Sequence, residues 1–464
     1  MTKSDATAYW TARLTELAAA GQVPGAVLGI WADGQQTLAC AGVLSTVTGV
    51  PVTSDSVFQL GSITKPWTAT MIMQLAEEGK LSLDSTVAQL LPGLKVGVTD
   101  VSEVVTIRQL LTHTSGIDGD IFTDTGRGDD CIERYMALLA DAGLTYPPGA
   151  AYSYSNSGFV LLGRIIEVLD GRVWDESLRQ RLIGPLGLAS TVTLPEEAIL
   201  RRAAVGHREH PRELDPVSSW MLARALGPAG LITASAADVL AFARMHLDGG
   251  IGGDGVRVLS EDSAAAMRQP QARIPTAGHA ADWVGLPWRL RQWGDRQLFG
   301  HDGSTIGQTA YLRIEPDSGI AVCLLTNAAD SQNLYRAVFS EVFGELLGVT
   351  PPADPEPVSG PAGADYSRHA GRYERVSRRY DIFGRASGLR AVFETTGQLA
   401  ALRESQTEEL DLYPSDASGE NFVCRSHDAE PWTSVSFGTL ADGTAYLYSG
   451  GRVTRRTGDV TGVA

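Results

Sequence analysis

Ser62 and Lys65 stand three residues apart in Gln59-Leu60-Gly61-Ser62-Ile63-Thr64-Lys65-Pro66-Trp67, where a helical pattern opens. Its apolar side runs through Ile63, Trp67, Thr70, Met71 and Leu75, and Gly79 follows Glu77-Glu78 where a helix should stop. Pro66 fits the first turn, whose amides lack helical partners. Residues three apart share a helix face. A serine hydroxyl becomes a nucleophile only when something takes its proton, and a lysine whose pKa falls on burial can do so where arginine cannot. Amides at a helix start also point toward the negative charge that such a reaction develops. The polar loop from Pro147 to Gly158, before a helical run from Phe159 to Leu169, contains Tyr154-x-Asn156. This offers a phenol to relay a proton and an amide to bind a substrate carbonyl. In Phe299-Gly300-His301-Asp302-Gly303-Ser304, Gly303 stands before a strand, where a backbone without a side chain can lie against a ligand.

Segments so far apart meet only in a fold that closes distant parts of the chain together. The chain has 464 residues, 43% hydrophobic and 20% charged, which suits a buried core and excludes disorder, a collagen-like chain or a disulfide framework. Its 38 Lys plus Arg against 54 Asp plus Glu leave a formal net charge of −16, which argues against nucleic acid and anionic membrane as partners. Only Lys3, Lys65, Lys80 and Lys95 are lysines; the other cations are arginine. Trp10, Leu14, Leu17 and Ala18 form a helical stripe that stops near Gly21. Ala26 to Trp31, the turn Asp33-Gly34 and Gln36 to Ala41 read as an antiparallel hairpin. Gln308 to Glu315 and Ile320 to Thr326 read as a second, around Asp317-Ser318-Gly319, and a helix from Asn333 to Leu347 follows. Strands at both ends of a unit of roughly 350 residues, with a largely helical middle from Thr64 to Leu247, predict an α+β fold: one antiparallel sheet flanked by helices. Prolines mark 350–362 as a linker. Beyond it, Arg390 to Glu394, Glu409 to Tyr413, Trp432 to Phe437 and Ala445 to Ser449 predict a small β-barrel. The expected domains are residues 1–349 and 363–464, joined by that linker.

In that order and at those separations, Ser62-x-x-Lys65, Tyr154-x-Asn156 and His301-x-Gly303 resemble the motifs of the serine β-lactamase and penicillin-binding-protein superfamily, nearest its class C type. Leu110-Leu111-Thr112-His113-Thr114-Ser115-Gly116 resembles a further family segment, and the likeness spans residues 8 to 348. It implies a class C β-lactamase-like sheet with a helical subdomain. It implies Ser62 as the acylated nucleophile, Lys65 and Tyr154 sharing general-base and general-acid duty, and His301 supporting the proton network. It further implies an oxyanion hole made by the Ser62 and Ser304 amides, with Asn156 and Gly303 beside the acyl chain. No cofactor or metal is expected. Histidine in place of lysine in the third motif departs from typical β-lactamases and is shared with the family's esterases, D-amino-acid peptidases and penicillin-binding-protein-type thioesterases.

The barrel, with Gly371-Arg372-Tyr373-Glu374-Arg375 near its start, resembles the lipocalin-like C-terminal domain of the surugamide cyclase type. The expected activity is therefore that of such a thioesterase: a nonribosomal peptide passes from the carrier-protein thioester of a peptide synthetase to Ser62 and leaves as a macrocycle. An esterase or D-stereospecific peptidase of the same fold is the alternative, and a β-lactamase the second. A non-catalytic binding module is disfavoured because nucleophile, base and tyrosine are all present. Met1 to Ala6 carries acid where a signal peptide carries an apolar core, so a cytoplasmic location is expected, and no apolar run is long enough for a membrane span.

Other residues carry weaker claims. Trp220, beside Met221, is expected to line the acyl pocket or to pack in the core. Arg452, on the barrel rim, could grip a substrate carboxylate bidentately if the barrel leans over Ser62. His113 reads as a structural residue that satisfies backbone groups. Gly250-x-Gly252-x-x-Gly255 matches a dinucleotide fingerprint only formally, since it follows a helical run instead of joining strand to helix. His207-Arg208-Glu209-His210 lacks a third zinc ligand and reads as a solvated turn before Pro211. Cys40, Cys131, Cys323 and Cys424 have neither zinc nor redox spacing, and Cys323, in an apolar run, reads as a buried thiol.

Overall fold

From Gly25 to Ile30 every residue is buried, so the strand Gly25–Ala32 needs cover on both faces and both edges. The computed structural model, which describes residues 3–210, 213–220, 222–275, 282–359, 365–385, 388–397, 400, 407–426 and 431–460, shows how that cover is made. On one edge the strand pairs with Gln35–Gly42, across a turn in which Asp33 and Gly34 both have positive φ. On the other it pairs with Ile320–Thr326, bringing the two ends of the first 350 residues together. The antiparallel sheet then continues through Thr309–Glu315, Arg296–Ser304, Arg289–Trp293, Trp283–Val284 and Ala272–Arg273, eight strands among the described residues. Both hairpins read from the sequence are present, and the second lies in the middle of the sheet.

Each face of the sheet carries helices. Trp10 and Leu14 of Lys3–Ala20 pack with Phe339 and Phe343 of Gln332–Leu347 on Leu28, Val322 and Leu324. Alternate residues Val27, Cys323 and Leu325 face the other way, into the larger core with Trp67 and Phe242. Cys323 is thus the buried thiol expected. The middle of the chain is less purely helical than its sequence suggests. Phe58–Gln59 pairs with Thr233–Ala234, and His207–His210 pairs with Glu213–Pro216. This second pairing corrects the expectation of a solvated turn at His207. Its imidazole is fully buried, with Nδ1 3.0 Å from the Asn327 carbonyl oxygen while Nε2 accepts from the Thr46 amide. Two backbone partners account for the ring, and no group of three or more potential metal ligands occurs among the described residues.

Residues 351–359 have no regular structure, and from Gly371–Arg375 to Arg452–Gly458 eight strands close into a barrel. Its interior is filled by Tyr373, Ile382, Leu389, Phe422, Phe437 and Leu447. The barrel packs on the sheet-and-helix unit through a shared apolar cluster: Tyr146, Tyr152, Tyr154 and Val284 against Leu440, Tyr448 and Val453. Backbone bonds align the contact. The Tyr154 amide donates to the Gly451 carbonyl at 2.9 Å, the Val453 amide to the Ser153 hydroxyl at 3.1 Å, and the Val376 amide to Asp118 at 2.8 Å. Truncating a buried aromatic at this seam, Tyr448→Ala, is expected to cost about 3 kcal/mol of stability. Denaturant unfolding measures it; an unchanged midpoint would show that the seam contributes little.

Candidate active site

Gly61 turns the chain into the nucleophile position with φ +51°, a region that disfavours residues with a Cβ. A Cβ there would also stand 2.6 Å from the Ser304 amide nitrogen. A single 3-10 turn, Gly61–Ile63, then runs into the helix Thr64–Glu77. That helix is buried on nearly every side, with Trp67 stacked on Phe242 at 4.1 Å. Gly303 brings the strand Arg296–Ser304 against the same turn, since its own Cβ would fall 1.8 Å from the Leu60 carbonyl oxygen. Small residues on both sides therefore bring Ser62 and Ser304 to one pocket wall.

Lys65 has no exposed surface. Its Nζ lies 3.0 Å from Ser62 Oγ, 2.8 Å from Asn156 Oδ1 and 2.6 Å from the Ala229 carbonyl oxygen. A neutral amine satisfies all three, donating two protons to Asn156 and Ala229 and accepting the Ser62 proton on its lone pair. Three acceptors would also suit an ammonium, but burial and the positive charges of Arg452 and Arg289 outweigh them. Together they hold the amine's pKa well below its ordinary value against the opposing pull of Asp120.

Asn156 opens the helix Asn156–Asp170, whose N-cap Ser155 accepts from the Gly158 amide at 3.0 Å. The Ser155 amide in turn donates to His113 Nδ1 at 3.0 Å. His113 thus has the structural role expected of it, and its ring lies 4.4 Å from that of Tyr154. Lys65 Nζ is 4.7 Å from the Tyr154 ring centre. Burial raises the phenol's pKa, and the nearby Ser62 hydroxyl opposes that rise, although the two hydroxyls do not reach full hydrogen-bond geometry. His301 Nδ1 lies 2.6 Å from the Asp302 carbonyl oxygen, which places the ring proton on Nδ1. Burial, then the charge of Arg289, pushes its pKa down to about 3, so the ring is neutral. No hydrogen bond joins it to Tyr154, whose ring centre is 6.1 Å away.

A cavity of about 400 Å3 opens over Ser62 and is lined by Tyr154, Asn156, Arg289, His301, Gly303, Ser304 and Arg452. Every site residue read from the sequence therefore converges here, with Lys65 behind the serine, except Trp220. That indole donates its N–H to the Ala204 carbonyl at 2.8 Å and lines a neighbouring cavity of about 350 Å3. Leu222 faces both cavities, so the apolar wall expected at Trp220 is supplied two residues later.

The beta-lactamase family model matches residues 10–339. The chain belongs to the beta-lactamase family. It is 46% identical over 377 residues to penicillin-binding protein 4 of Amycolatopsis lactamdurans, an alignment covering 79% of this chain and 97% of that protein. Its fold superposes on the crystal structure of SurE with a TM-score of 0.75 and 30% identity, covering 98% of this chain and 99% of SurE. A D-stereospecific amidohydrolase from a Streptomyces species, 26% identical, superposes with a TM-score of 0.60 over 73% of this chain and 98% of its own. The family model ends before the barrel, whereas the likeness to SurE includes it.

In this β-lactamase-family site two charged groups were missed from the sequence. Arg289 lines the pocket, and its guanidinium has neither a hydrogen bond nor an ion pair among the described residues. The alternation of Trp288 and Leu290 with Arg289 and Arg291 was the available signal, since it puts the two arginines on one face of a strand. Asp120 is buried and binds Arg452. Nothing in its local sequence announces that. Arg452 does lean over the cleft, its guanidinium 4.9 Å from the Tyr154 ring centre, but its fork is engaged with Asp120.

A Lys65 that takes the serine proton, as the family resemblance implies, must be neutral, and Lys65→Arg is then expected to slow acylation of Ser62 by at least about a hundredfold. A depressed lysine pKa also places the acid limb of acylation well below the ordinary lysine range, so the rate should already be level where an ordinary lysine titrates. The pH profile of acyl-enzyme formation checks this. A rate still climbing through about pH 10, where an unperturbed lysine titrates, would contradict it.

Proposed function

We propose that this protein releases a nonribosomal peptide from a carrier-protein thioester through an acyl-Ser62 intermediate and closes it into a ring. The observation that carries the reading is the barrel placed over the nucleophile: Gly451 accepts from the Tyr154 amide, and Arg452 lies across the Tyr154 ring. The same two-part architecture extends over the whole length of SurE, which has also been crystallised with D-Leu. Lys65 takes the Ser62 proton as Oγ attacks the thioester carbonyl. The oxyanion forms between the Ser62 and Ser304 amides, and Asn156 holds the acyl chain. The thiol leaves with a proton returned through Lys65 and Tyr154. The peptide's own amine then attacks the ester and gives up its proton, and Ser62 is restored. Ring closure outruns hydrolysis where the site excludes water and holds the amine close. At about 400 Å3 the pocket suits the acyl end of a peptide, with the remainder of the chain lying outside.

The unpaired Arg289 favours a second reading. A thioester has no carboxylate at its reacting end, whereas a peptide with a free C-terminus does, and a guanidinium in the pocket suits it. The similarity to penicillin-binding protein 4 and to the D-stereospecific amidohydrolase points the same way, toward a D-peptidase of this fold. As to location, no helix among the described residues is long and apolar enough to cross a membrane. We propose cytoplasmic work on a synthetase-bound substrate.

A direct assay supplies a peptidyl thioester with a D-residue at the acyl end, a p-nitrophenyl ester and a chromogenic cephalosporin. Macrocycle formation that disappears in Ser62→Ala supports the cyclase. Linear acid as the only product, with rapid turnover of the short ester, would overturn it in favour of the hydrolase.

A further inference from the structure

Asp120 connects the barrel to the catalytic lysine. Its carboxylate is almost fully buried and collects donors from the first and last strands of the barrel and the turn after the first. Arg452 approaches with Nε at 3.1 Å and a terminal nitrogen at 2.9 Å, Arg375 at 2.5 Å and the Ser377 hydroxyl at 3.1 Å. Buried charges persist only when paired, so the carboxylate and the two guanidiniums depend on one another across the domain seam. On its inner side Asp120 faces Asn156, whose Nδ2 is 3.4 Å away.

That last contact decides which way the Asn156 amide points. One end faces Asp120, which can only accept, and the other faces the Lys65 amine, which must be met by an acceptor. A single orientation satisfies both: nitrogen to Asp120 and oxygen to Lys65. Without the carboxylate the amide can turn over and set its N–H groups against Nζ.

We propose that Asp120 is a positioning residue that makes seating of the barrel a condition for acylation, fixing the Asn156 oxygen on Lys65 and setting, with the barrel arginines, the charge that Lys65 meets. The proposal rests on the acyl-Ser62 reading and gives the barrel a part in the chemistry besides substrate binding. The groups facing Lys65 are Ser62, Asn156, the Ala229 carbonyl, the Tyr154 ring and neutral His301, with buried His113 behind them. Arg452 and Arg289 disfavour its protonation and Asp120 favours it. The sign of each change follows. Losing the Asp120 charge makes Lys65 easier to keep neutral and moves the acid limb of acylation to lower pH. Losing Arg375 leaves Asp120 less compensated and moves the limb to higher pH.

The test uses the full-length protein and p-nitrophenyl acetate, an ester without a carboxylate, and follows the acyl-Ser62 adduct by intact mass across pH. Asp120→Asn keeps an acceptor for Asn156, so its plateau rate should stay within about threefold of the wild type while its acid limb falls by about half a pH unit or more. Arg375→Met should move the limb the opposite way. Asp120→Leu should lower the plateau about tenfold or more with little change in KM. Unmoved limbs in the first two variants, or wild-type acylation by Asp120→Leu, would overturn the proposal. If Asp120→Leu does not fold, the opposed shifts of the other two, with folding checked by circular dichroism, decide it. A wild-type chain that forms no adduct refutes the acyl-Ser62 reading, and this proposal with it.

Discussion

A lysine amine with no access to water is the constraint around which this molecule is arranged. An ammonium in that position would have to be compensated by a neighbouring anion, and the pull of Asp120 is outweighed by burial and two guanidiniums. The amine is therefore held neutral, and its three close contacts are those a neutral amine can complete. Much of the surrounding structure follows. The helix Thr64–Glu77 must be buried on nearly all sides, which requires Trp67 and Phe242 to stack beneath it. The turn at Ala229 must bring a carbonyl to 2.6 Å, and Gly61 and Gly303 must let two backbones approach closer than any side chain allows.

The barrel takes part in that arrangement. Its last hairpin meets the loop that carries Tyr154 and Asn156, so that the Lys65 amine and the Arg452 guanidinium lie 4.7 and 4.9 Å from the phenol's ring centre. An added domain that only supplied surface would not need to place a guanidinium 4.9 Å from the Tyr154 ring in the pocket, nor to bury that charge against Asp120.

Local features were the legible part of the sequence. Ser62-x-x-Lys65 was readable because helix periodicity fixes which residues share a face, and both hairpins because two-residue alternation and turn residues are written within about 20 positions of each other. The prolines of 350–362 announced a change of architecture, and the strand pieces beyond it do close into a barrel. What escaped depends on partners far away in the chain. Arg452 could be imagined as a substrate grip, but its actual partner lies 332 residues earlier. His207 looked solvent-facing until strand pairing turned it inward toward Asn327, 120 residues later. Trp220 found a carbonyl for its indole outside the pocket, and nothing in its neighbours distinguishes that from a place on the wall. Sequence spacing brings Ser62 and Lys65 together; the charges around them come from distant parts of the chain.

Only four lysines occur in the chain, which makes its central residue directly observable. Protein labelled with carbon-13 at lysine Cε should give at most four signals, of which the one absent from Lys65→Met is that of the buried amine. Its titration by NMR tests the account most directly. The account predicts that this signal titrates far below the ordinary lysine value of about 10.4. A Lys65 signal that titrates at that ordinary value would contradict a neutral base in the folded enzyme.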